Sequence, residues 1–131
     1  IGAGSGYQAA ILSLLVKSVV TIERLDAVAA LANASLAAVH ADNVKIVVGD
    51  GTLGYPPSAP YNGIIITAAT PEIPVPLREQ LAEGGRLVAP VGDRSLQELV
   101  VLERFGDRFT EERHGGVRFV PLIGEHGWEE I

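Results

Sequence analysis

The chain has 131 residues, of which 47% are hydrophobic and 20% are charged, enough for one domain with an apolar core. Its net charge of −6 argues against non-specific binding of nucleic acid, which needs clusters of Lys and Arg. Cysteine is absent, which excludes disulfides and thiolate metal sites and fits a cytoplasmic protein. The apolar stretch 9–16 ends at Lys17, short of the ~20 residues that a membrane-spanning helix needs. We therefore expect a single domain over residues 1–131 that binds no nucleic acid, membrane or metal.

The chain opens on a glycine-rich segment, IGAGSGYQ, that runs directly into a helical pattern. Gly2, Gly4 and Gly6 have the spacing G-x-G-x-G, and Tyr7 stands where the dinucleotide fingerprint has its last glycine. Glycine allows a strand-to-helix turn to approach a ligand closely. The compressed spacing indicates a site for S-adenosylmethionine (SAM). A plain glycine-rich turn and a nicotinamide-binding domain are the alternatives.

Two acidic residues come directly after predicted strands or end them. Glu23 ends the β-branched stretch 19–23, near the offset at which an acidic side chain binds ribose hydroxyls. Asp50 and Gly51 come after the stretch 44–49, so Asp50 is expected at the carboxyl edge of the sheet, within reach of an adenine amino group. An ordinary charge flanking a helix and an Asp-Gly turn are the alternatives.

Helix and strand patterns alternate along the chain and predict an α/β fold. The first helix is apolar nearly all round and is expected to be buried. The second is expected to pack through Val28, Leu31, Leu36 and Val39. A short helix opens near Pro76, runs through Leu81 and ends at Gly84–Gly85. Predicted helices cover 7–17, 26–40 and 76–81, and predicted strands cover 19–23, 44–49, 63–68, 86–91, 97–105, 108–113 and 117–122. The last three strands, joined by short turns, indicate an antiparallel end to a parallel sheet.

With these features in place, the chain resembles protein-L-isoaspartate (D-aspartate) O-methyltransferases, and in particular the archaeal members of that family. The resemblance extends from Ile1 to about Trp128. It is most specific in the segments TAATPEIP (67–74), APVG (89–92) and FVPL (119–122), which accompany the glycine motif, IER (22–24) and VGDGTLGY (48–55).

The resemblance implies a Rossmann-like seven-stranded SAM-dependent methyltransferase fold with a mixed sheet and antiparallel C-terminal strands. It implies SAM as the methyl donor, S-adenosylhomocysteine as the product, and L-isoaspartyl or D-aspartyl residues of damaged proteins or peptides as acceptors. The residues implied to bind the cofactor are Gly2, Gly4, Ser5, Gly6, Glu23, Arg24, Asp50 and Gly51. Those implied to line the acceptor pocket are Thr67, Ala68, Ala69, Phe119 and Val120.

The resemblance also implies a segment before the glycine motif that holds the active-site Ser, so no catalytic residue is assigned here. Only Ile1 could belong to the first strand, which the family fold places at the sheet centre between the second and fourth strands. We expect a truncated chain that neither folds well nor methylates alone, because the neighbouring strands would lose their partners. Asn62 stands where the family usually has Asp, for which we expect a structural effect.

No general base is expected for this chemistry. The acceptor is a carboxylate with a reference pKa near ~4, already ionised at neutral pH. The three histidines, His40, His114 and His126, are therefore interpreted as surface or loop residues.

Asn62–Gly63 and Asp50–Gly51 are dipeptides prone to succinimide formation. The alternative for Asn62 is that it lies at the start of a strand whose folded backbone protects it from this reaction. The other functions left open are a different SAM-dependent methyltransferase, acting on RNA or a small molecule, and an inactive cofactor-binding fragment.

Overall fold

The structure is a computed structural model that describes residues 1–130. Contacts between Cα atoms divide it into two compact units. The N-terminal unit is Gly2–Gly51, and the C-terminal unit comprises Ile1 and the chain from Thr52 onward. The prediction of a single domain stays a prediction. No helix in the described part of the chain is both long and apolar enough to cross a membrane.

The N-terminal unit alternates helices and strands as predicted. Its elements are α1 (Tyr7–Ser13), β1 (Val19–Glu23), α2 (Asp26–Ala38) and β2 (Val44–Val48). The two strands are parallel, and Glu23 lies opposite Val48. The strand predictions are thereby confirmed, whereas α1 ends four residues before the predicted end.

Asn43 explains where α1 ends. Its side-chain amide donates to the carbonyl oxygens of Ser13, Val16 and Lys17, at 2.9, 3.2 and 3.2 Å. These carbonyls have no helical partner beyond the last turn, so the amide satisfies backbone acceptors that would otherwise depend on water. A side chain distant in sequence therefore fixes the helix end, which a local pattern could not predict.

The core of the N-terminal unit is made mostly of small side chains. In α2 the buried residues are Ala29, Ala32 and Leu36, spaced as one helical stripe. Of the four residues predicted to pack, Leu36 is confirmed, but Leu31 and Val39 are wrong, at 66% and 62% exposed. The prediction followed the largest apolar side chains, whereas the buried stripe follows the alanines that permit close approach.

The prediction that α1 is buried nearly all round is also wrong. Ala9 is its only buried residue, while Tyr7 is 73% and Ile11 43% exposed. Within this unit only α2 and a two-stranded sheet are available to cover the helix, so they bury one side of it.

The C-terminal unit is dominated by a four-stranded sheet. Its elements are β3 (Tyr61–Ile65), α3 (Val75–Glu79), β4 (Leu81–Gly92), β5 (Gln97–Phe105) and β6 (Arg108–Val117), with short 3₁₀ turns at Gly51–Leu53 and Pro56–Ser58. The strand order is β3-β4-β5-β6, with β3 parallel to β4 and the later pairs antiparallel. This confirms the predicted mixed sheet with antiparallel C-terminal strands.

The sheet packs around an apolar cluster. The members of the cluster are Ile64, Ile66, Ala68, Ile73, Leu77, Leu81, Leu87, Ala89, Val100, Leu102 and Leu122. Leu81 and Leu87 are completely buried. Strands β3, β4 and β5 and the helix α3 therefore share one core within this unit.

Several boundaries in the C-terminal unit were predicted wrongly, among them those at Gly84–Gly85 and at Val117. Gly84 and Gly85 do not end a helix, because β4 begins at Leu81 and an irregular register between Leu81 and Arg86 accommodates both glycines inside the strand. The predicted strand 117–122 is also wrong, because β6 continues to Val117 through a register shift. Beyond Val117 the described chain forms isolated bridges, among them one between Ala69 and Pro121.

The six strands described form two sheets, β1-β2 and β3-β4-β5-β6. Within the C-terminal unit, Ile1 donates its amino N–H to the Ile65 carbonyl (2.7 Å) and accepts from the Thr67 amide (3.0 Å). Ile1 therefore does extend alongside β3, as the sequence predicts for a first-strand residue.

Candidate functional site

The glycine segment forms a tight loop in the N-terminal unit. Gly2, Gly4 and Gly6 all have positive φ, at 89°, 54° and 86°. A Cβ on Gly6 would lie 3.3 Å from the Ala32 carbonyl oxygen, so this glycine permits α1 to approach α2. A Cβ on Gly4 would meet nothing within 4 Å. Gly4 therefore has open space beside its backbone, where a ligand could approach.

Glu23 joins this loop to the end of β1. Its Oε1 accepts a hydrogen bond from the Gly4 amide at 3.1 Å, and its Oε2 accepts one from the Leu25 amide at 3.1 Å. Both carboxylate oxygens are thus oriented by backbone donors at exposed positions. The glycine motif and the acidic residue predicted to act with it therefore lie in direct contact.

Asp50 belongs to the same edge of the β1-β2 sheet. The Gly49 amide donates to the Glu23 carbonyl at 3.0 Å, which extends the parallel pairing one residue beyond β2. Asp50 is the next residue and is half-buried, and Gly51 is buried. Glu23 at the end of β1 and Asp50 just after β2 therefore both lie at the carboxyl end of this two-stranded sheet. Open α/β folds usually bind their ligands at the carboxyl ends of their strands.

Ser5 and Arg24 complete the predicted cofactor residues. Both are exposed, and the Ser5 hydroxyl accepts a hydrogen bond from the Tyr7 amide at 3.4 Å. All eight predicted cofactor residues lie in the N-terminal unit.

Two of the predicted acceptor residues, Ala69 and Val120, are in direct contact within the C-terminal unit. The Ala69 amide donates to the Val120 carbonyl, and the Leu122 amide donates to the Ala69 carbonyl, both at 2.7 Å. Ala68 and Ala69 are buried, whereas Phe119 and Val120 are 38% and 72% exposed. The chain around Ala69 and the segment 119–122 therefore run side by side, and the acceptor pocket itself stays a prediction.

A buried glutamine that the sequence analysis did not single out holds this arrangement. Gln97 is 1% exposed, accepts from the Phe119 amide at 2.9 Å, and donates to the Asp93 carbonyl at 2.6 Å. Its amide is therefore bonded on both sides, as a buried polar group must be. No local pattern identifies it, because its bond to the Phe119 amide spans 22 residues.

Gln80 performs the same task for the loop after β2. Its side chain accepts from the Tyr55 amide and donates to the Leu53 carbonyl, each at 2.9 Å. The Tyr61 hydroxyl also donates to the Tyr55 carbonyl. Burial raises the pKa of the Tyr61 hydroxyl above its usual value and is the largest of the influences on that group. The proline-rich loop is thus held by three side-chain bonds.

The histidines do not form a cluster. His40 lies after α2 and has a positive φ of 56°. His114 lies on the exposed surface of β6, with its ring 3.2 Å from the Glu112 carboxylate. The backbone amide of His126 donates a hydrogen bond to the buried Thr52 hydroxyl. Among residues 1–130, no group of three or more His, Cys, Asp or Glu could hold a metal ion.

Comparison with known proteins places this chain in a family. The family described as "Protein-L-isoaspartate(D-aspartate) O-methyltransferase (PCMT)" matches residues 1–127. The chain belongs to this family. It is 70% identical over 129 residues to a protein-L-isoaspartate O-methyltransferase of Methanoregula boonei, an alignment that covers 98% of this chain and 59% of that protein. A homologue from Methanospirillum hungatei is 58% identical over 130 residues, covering 99% of this chain and 60% of that protein.

Solved structures agree on the fold. A protein-L-isoaspartate O-methyltransferase matches with a TM-score of 0.88 and 29% identity, covering 96% of this chain and 41% of that one. A beta-aspartate methyltransferase (PCMT) from Plasmodium falciparum, solved in complex with S-adenosyl-L-homocysteine, matches with a TM-score of 0.77 at 23% identity, covering 93% of this chain and 63% of that one. The chain therefore has the α/β fold of these methyltransferases and spans about 59% of the length of the M. boonei relative.

Proposed function

We propose that the protein is a repair methyltransferase that transfers a methyl group from SAM to the free carboxylate of L-isoaspartyl or D-aspartyl residues in damaged proteins. Family membership and the 70% identity to a named protein-L-isoaspartate O-methyltransferase support this proposal. The observation that carries it is the hydrogen bond between the Gly4 amide and the Glu23 carboxylate, because Gly4 and Glu23 are both residues that we propose bind SAM.

The residues of the N-terminal unit fit the cofactor. Open space beside Gly4 admits a ligand to the bare backbone, and a Cβ there would occupy that space. Glu23 presents a charged acceptor suited to ribose hydroxyls, and Asp50 with Gly51 stands at the adjacent strand end for the adenine. Gly2, Ser5, Gly6 and Arg24 complete the proposed binding set. SAM, when bound, supplies an electrophilic methyl group on a sulfonium.

The C-terminal unit is proposed to supply the acceptor side. Thr67, Ala68, Ala69, Phe119 and Val120 would line the pocket for the damaged residue. The Thr67 hydroxyl is engaged by the Ile1 carbonyl at 2.7 Å, and Ala68 and Ala69 are buried. These residues are suited to shaping a pocket and excluding water from it, rather than to transferring protons.

The chemistry explains why no base is assigned among these residues. The acceptor carboxylate is already ionised at neutral pH, so no proton has to leave before it attacks the methyl carbon. The acceptor residues proposed here would then contribute by excluding water from the carboxylate. An active-site Ser is proposed to lie in a segment before the glycine motif. Damaged proteins in the cytoplasm are the proposed substrates.

The direct test is methylation by the full-length protein of two peptides that differ only at one residue, isoaspartate in one and normal aspartate in the other. We expect a base-labile methyl ester on the isoaspartyl peptide alone. Equal methylation of both peptides, or of neither while S-adenosylhomocysteine still binds, would refute the repair function. The second outcome would favour a different SAM-dependent methyltransferase or a cofactor-binding fragment.

A further inference from the structure

Asn62 is distinguished from the other asparagines of the chain by its neighbour. The sequence has three asparagines, and only Asn62 precedes a glycine. An asparagine side chain is attacked by the backbone nitrogen of the next residue, and a glycine in that position has no Cβ to obstruct the approach. The local sequence therefore favours a reaction at this position.

Asn62 is accessible in the part of the chain that the structure describes. Asn62 and Gly63 are both exposed, although they lie inside β3. The pairing of β3 with β4 is irregular at this point: Tyr61 lies opposite Leu81 and Gly63 opposite Arg86, so Asn62 falls at the shift and has no register partner. In the described part of the chain, its side-chain amide makes no hydrogen bond.

The other two asparagines are held in place. The Asn43 amide donates to three carbonyls, which fixes its side chain against rotation, and β-branched Val44 is the next residue. Asn33 lies within α2, where the amide nitrogen of the next residue is committed to the helix. They are internal controls with the same side chain.

We propose that Asn62 is a site of spontaneous modification in the folded protein. The Gly63 backbone nitrogen bonds to Asn62 Cγ, the bond from Cγ to the side-chain nitrogen breaks, and that nitrogen leaves as ammonia with the Gly63 proton. Water then opens the succinimide. Addition at the main-chain carbonyl gives an isoaspartyl linkage with a free α-carboxylate, and addition at Cγ gives normal aspartate. This inference does not rest on the proposed methyltransferase function.

The modification would alter β3 where it enters the core. An isoaspartyl linkage adds one methylene to the backbone between Tyr61, whose hydroxyl bonds to the Tyr55 carbonyl, and Ile64, which is 7% exposed. It also adds a negative charge on the surface. We therefore expect modified molecules to have a lower melting temperature than fresh protein.

The experiment ages the full-length protein at neutral to mildly alkaline pH and maps its peptides by mass spectrometry with isoaspartate-sensitive fragmentation. An equal sample in denaturant gives the intrinsic rate. We expect Asn62 to convert to isoaspartate and aspartate in the folded protein at a rate within about tenfold of its rate in denaturant, because the site has little local protection. Asn33 and Asn43 should remain intact in the folded protein. An intact Asn62 in folded protein, when the unfolded sample has converted, would overturn the proposal.

A matched variant separates chemistry from folding. In Gly63→Ala the new Cβ would meet only the Arg86 carbonyl oxygen, at 4.0 Å, so the fold should be retained. The added Cβ hinders the attacking nitrogen, and we expect conversion to slow by on the order of tenfold. Conversion at the wild-type rate in Gly63→Ala would likewise refute the mechanism.

Discussion

The two units of this chain are built on different principles. The C-terminal unit encloses large side chains, with Leu77, Leu81 and Leu87 at most 1% exposed. The N-terminal unit buries mainly alanines, and larger apolar side chains such as Leu31 remain on its surface. The unit with the smaller core carries the glycine loop and the acidic strand ends. In this unit the close approach of α1 to α2 depends on Gly6, where a Cβ would lie 3.3 Å from the Ala32 carbonyl oxygen.

The largest expected effect tests this difference in cores. Leu87→Ala should lower the free energy of unfolding by ~2–5 kcal/mol, because it leaves a cavity in a closed core. Leu31→Ala, the same chemical change at a residue that is 66% exposed, should stay within ~0.5 kcal/mol. Chemical denaturation of both variants, made in the full-length protein, checks this. Equal losses would contradict the assignment of the apolar core to the C-terminal unit.

A smaller loss is expected at Gln97. Gln97→Leu keeps the approximate volume but leaves the Phe119 amide and the Asp93 carbonyl without their partner, at a cost of ~1–3 kcal/mol. In the full-length protein we expect a higher KM for an isoaspartyl peptide and unchanged affinity for S-adenosylhomocysteine. The control is Glu98→Gln at the exposed neighbouring residue. A loss of cofactor affinity with unchanged KM would show that Gln97 does not position the proposed acceptor segment.

Gly4 separates backbone strain from ligand contact. Gly4→Ala places a side chain at φ 54°, costing roughly 1–2 kcal/mol, and puts its Cβ in the space proposed for the cofactor. Gly106→Ala is the matched control, because Gly106 has a φ of 61° and equally open surroundings in the β5–β6 turn. Both variants should lose similar stability, but only Gly4→Ala should weaken binding of S-adenosylhomocysteine, measured by calorimetry. Equal binding by both would remove Gly4 from the site.

The smallest effect concerns Asp93, in the turn before β5. Hydrogen bonds from the Leu96 amide, then from the Ser95 hydroxyl and amide, hold the pKa of Asp93 below its usual value. A depressed pKa in the folded state means that the stabilisation is present above the unfolded value of ~4 and is lost as pH falls through the folded value. The melting temperature of wild type should therefore exceed that of Asp93→Asn at neutral pH, and the gap should narrow in acid. A gap independent of pH would contradict this.

Local patterns predicted most of the fold. The strand 19–23 and the strand 97–105 were predicted with their observed bounds, because β-branched or alternating segments between turns carry a strong local signal. The errors lie where distant contacts decide. Asn43 ends α1, Ala29 and Ala32 replace larger residues in the packed stripe, and a register shift keeps β6 intact through His114–Gly115.

The candidate site could likewise be predicted where it depends on contiguous motifs, but not where it depends on contacts between distant residues. The glycine spacing and the two acidic strand ends were recognisable because they are contiguous motifs. The contact between Gly4 and Glu23, separated by 19 residues, was implied only by the motif. Gln97 was missed because its role depends on Phe119, 22 residues away, and a single amide in a strand gives no local signal of a partner.

The central claim, that Glu23 beside Gly4 binds the cofactor, is tested most directly by titrating full-length wild type, Glu23→Gln and Asp42→Asn with S-adenosylhomocysteine. Asp42→Asn is the control, since it removes a charge from an exposed carboxylate elsewhere in the same unit. Hydrogen bonds to a charged group contribute ~1.5–3 kcal/mol, so Glu23→Gln should weaken binding by roughly tenfold to a hundredfold, with Asp42→Asn unchanged. Wild-type affinity in a folded Glu23→Gln variant would contradict the claim.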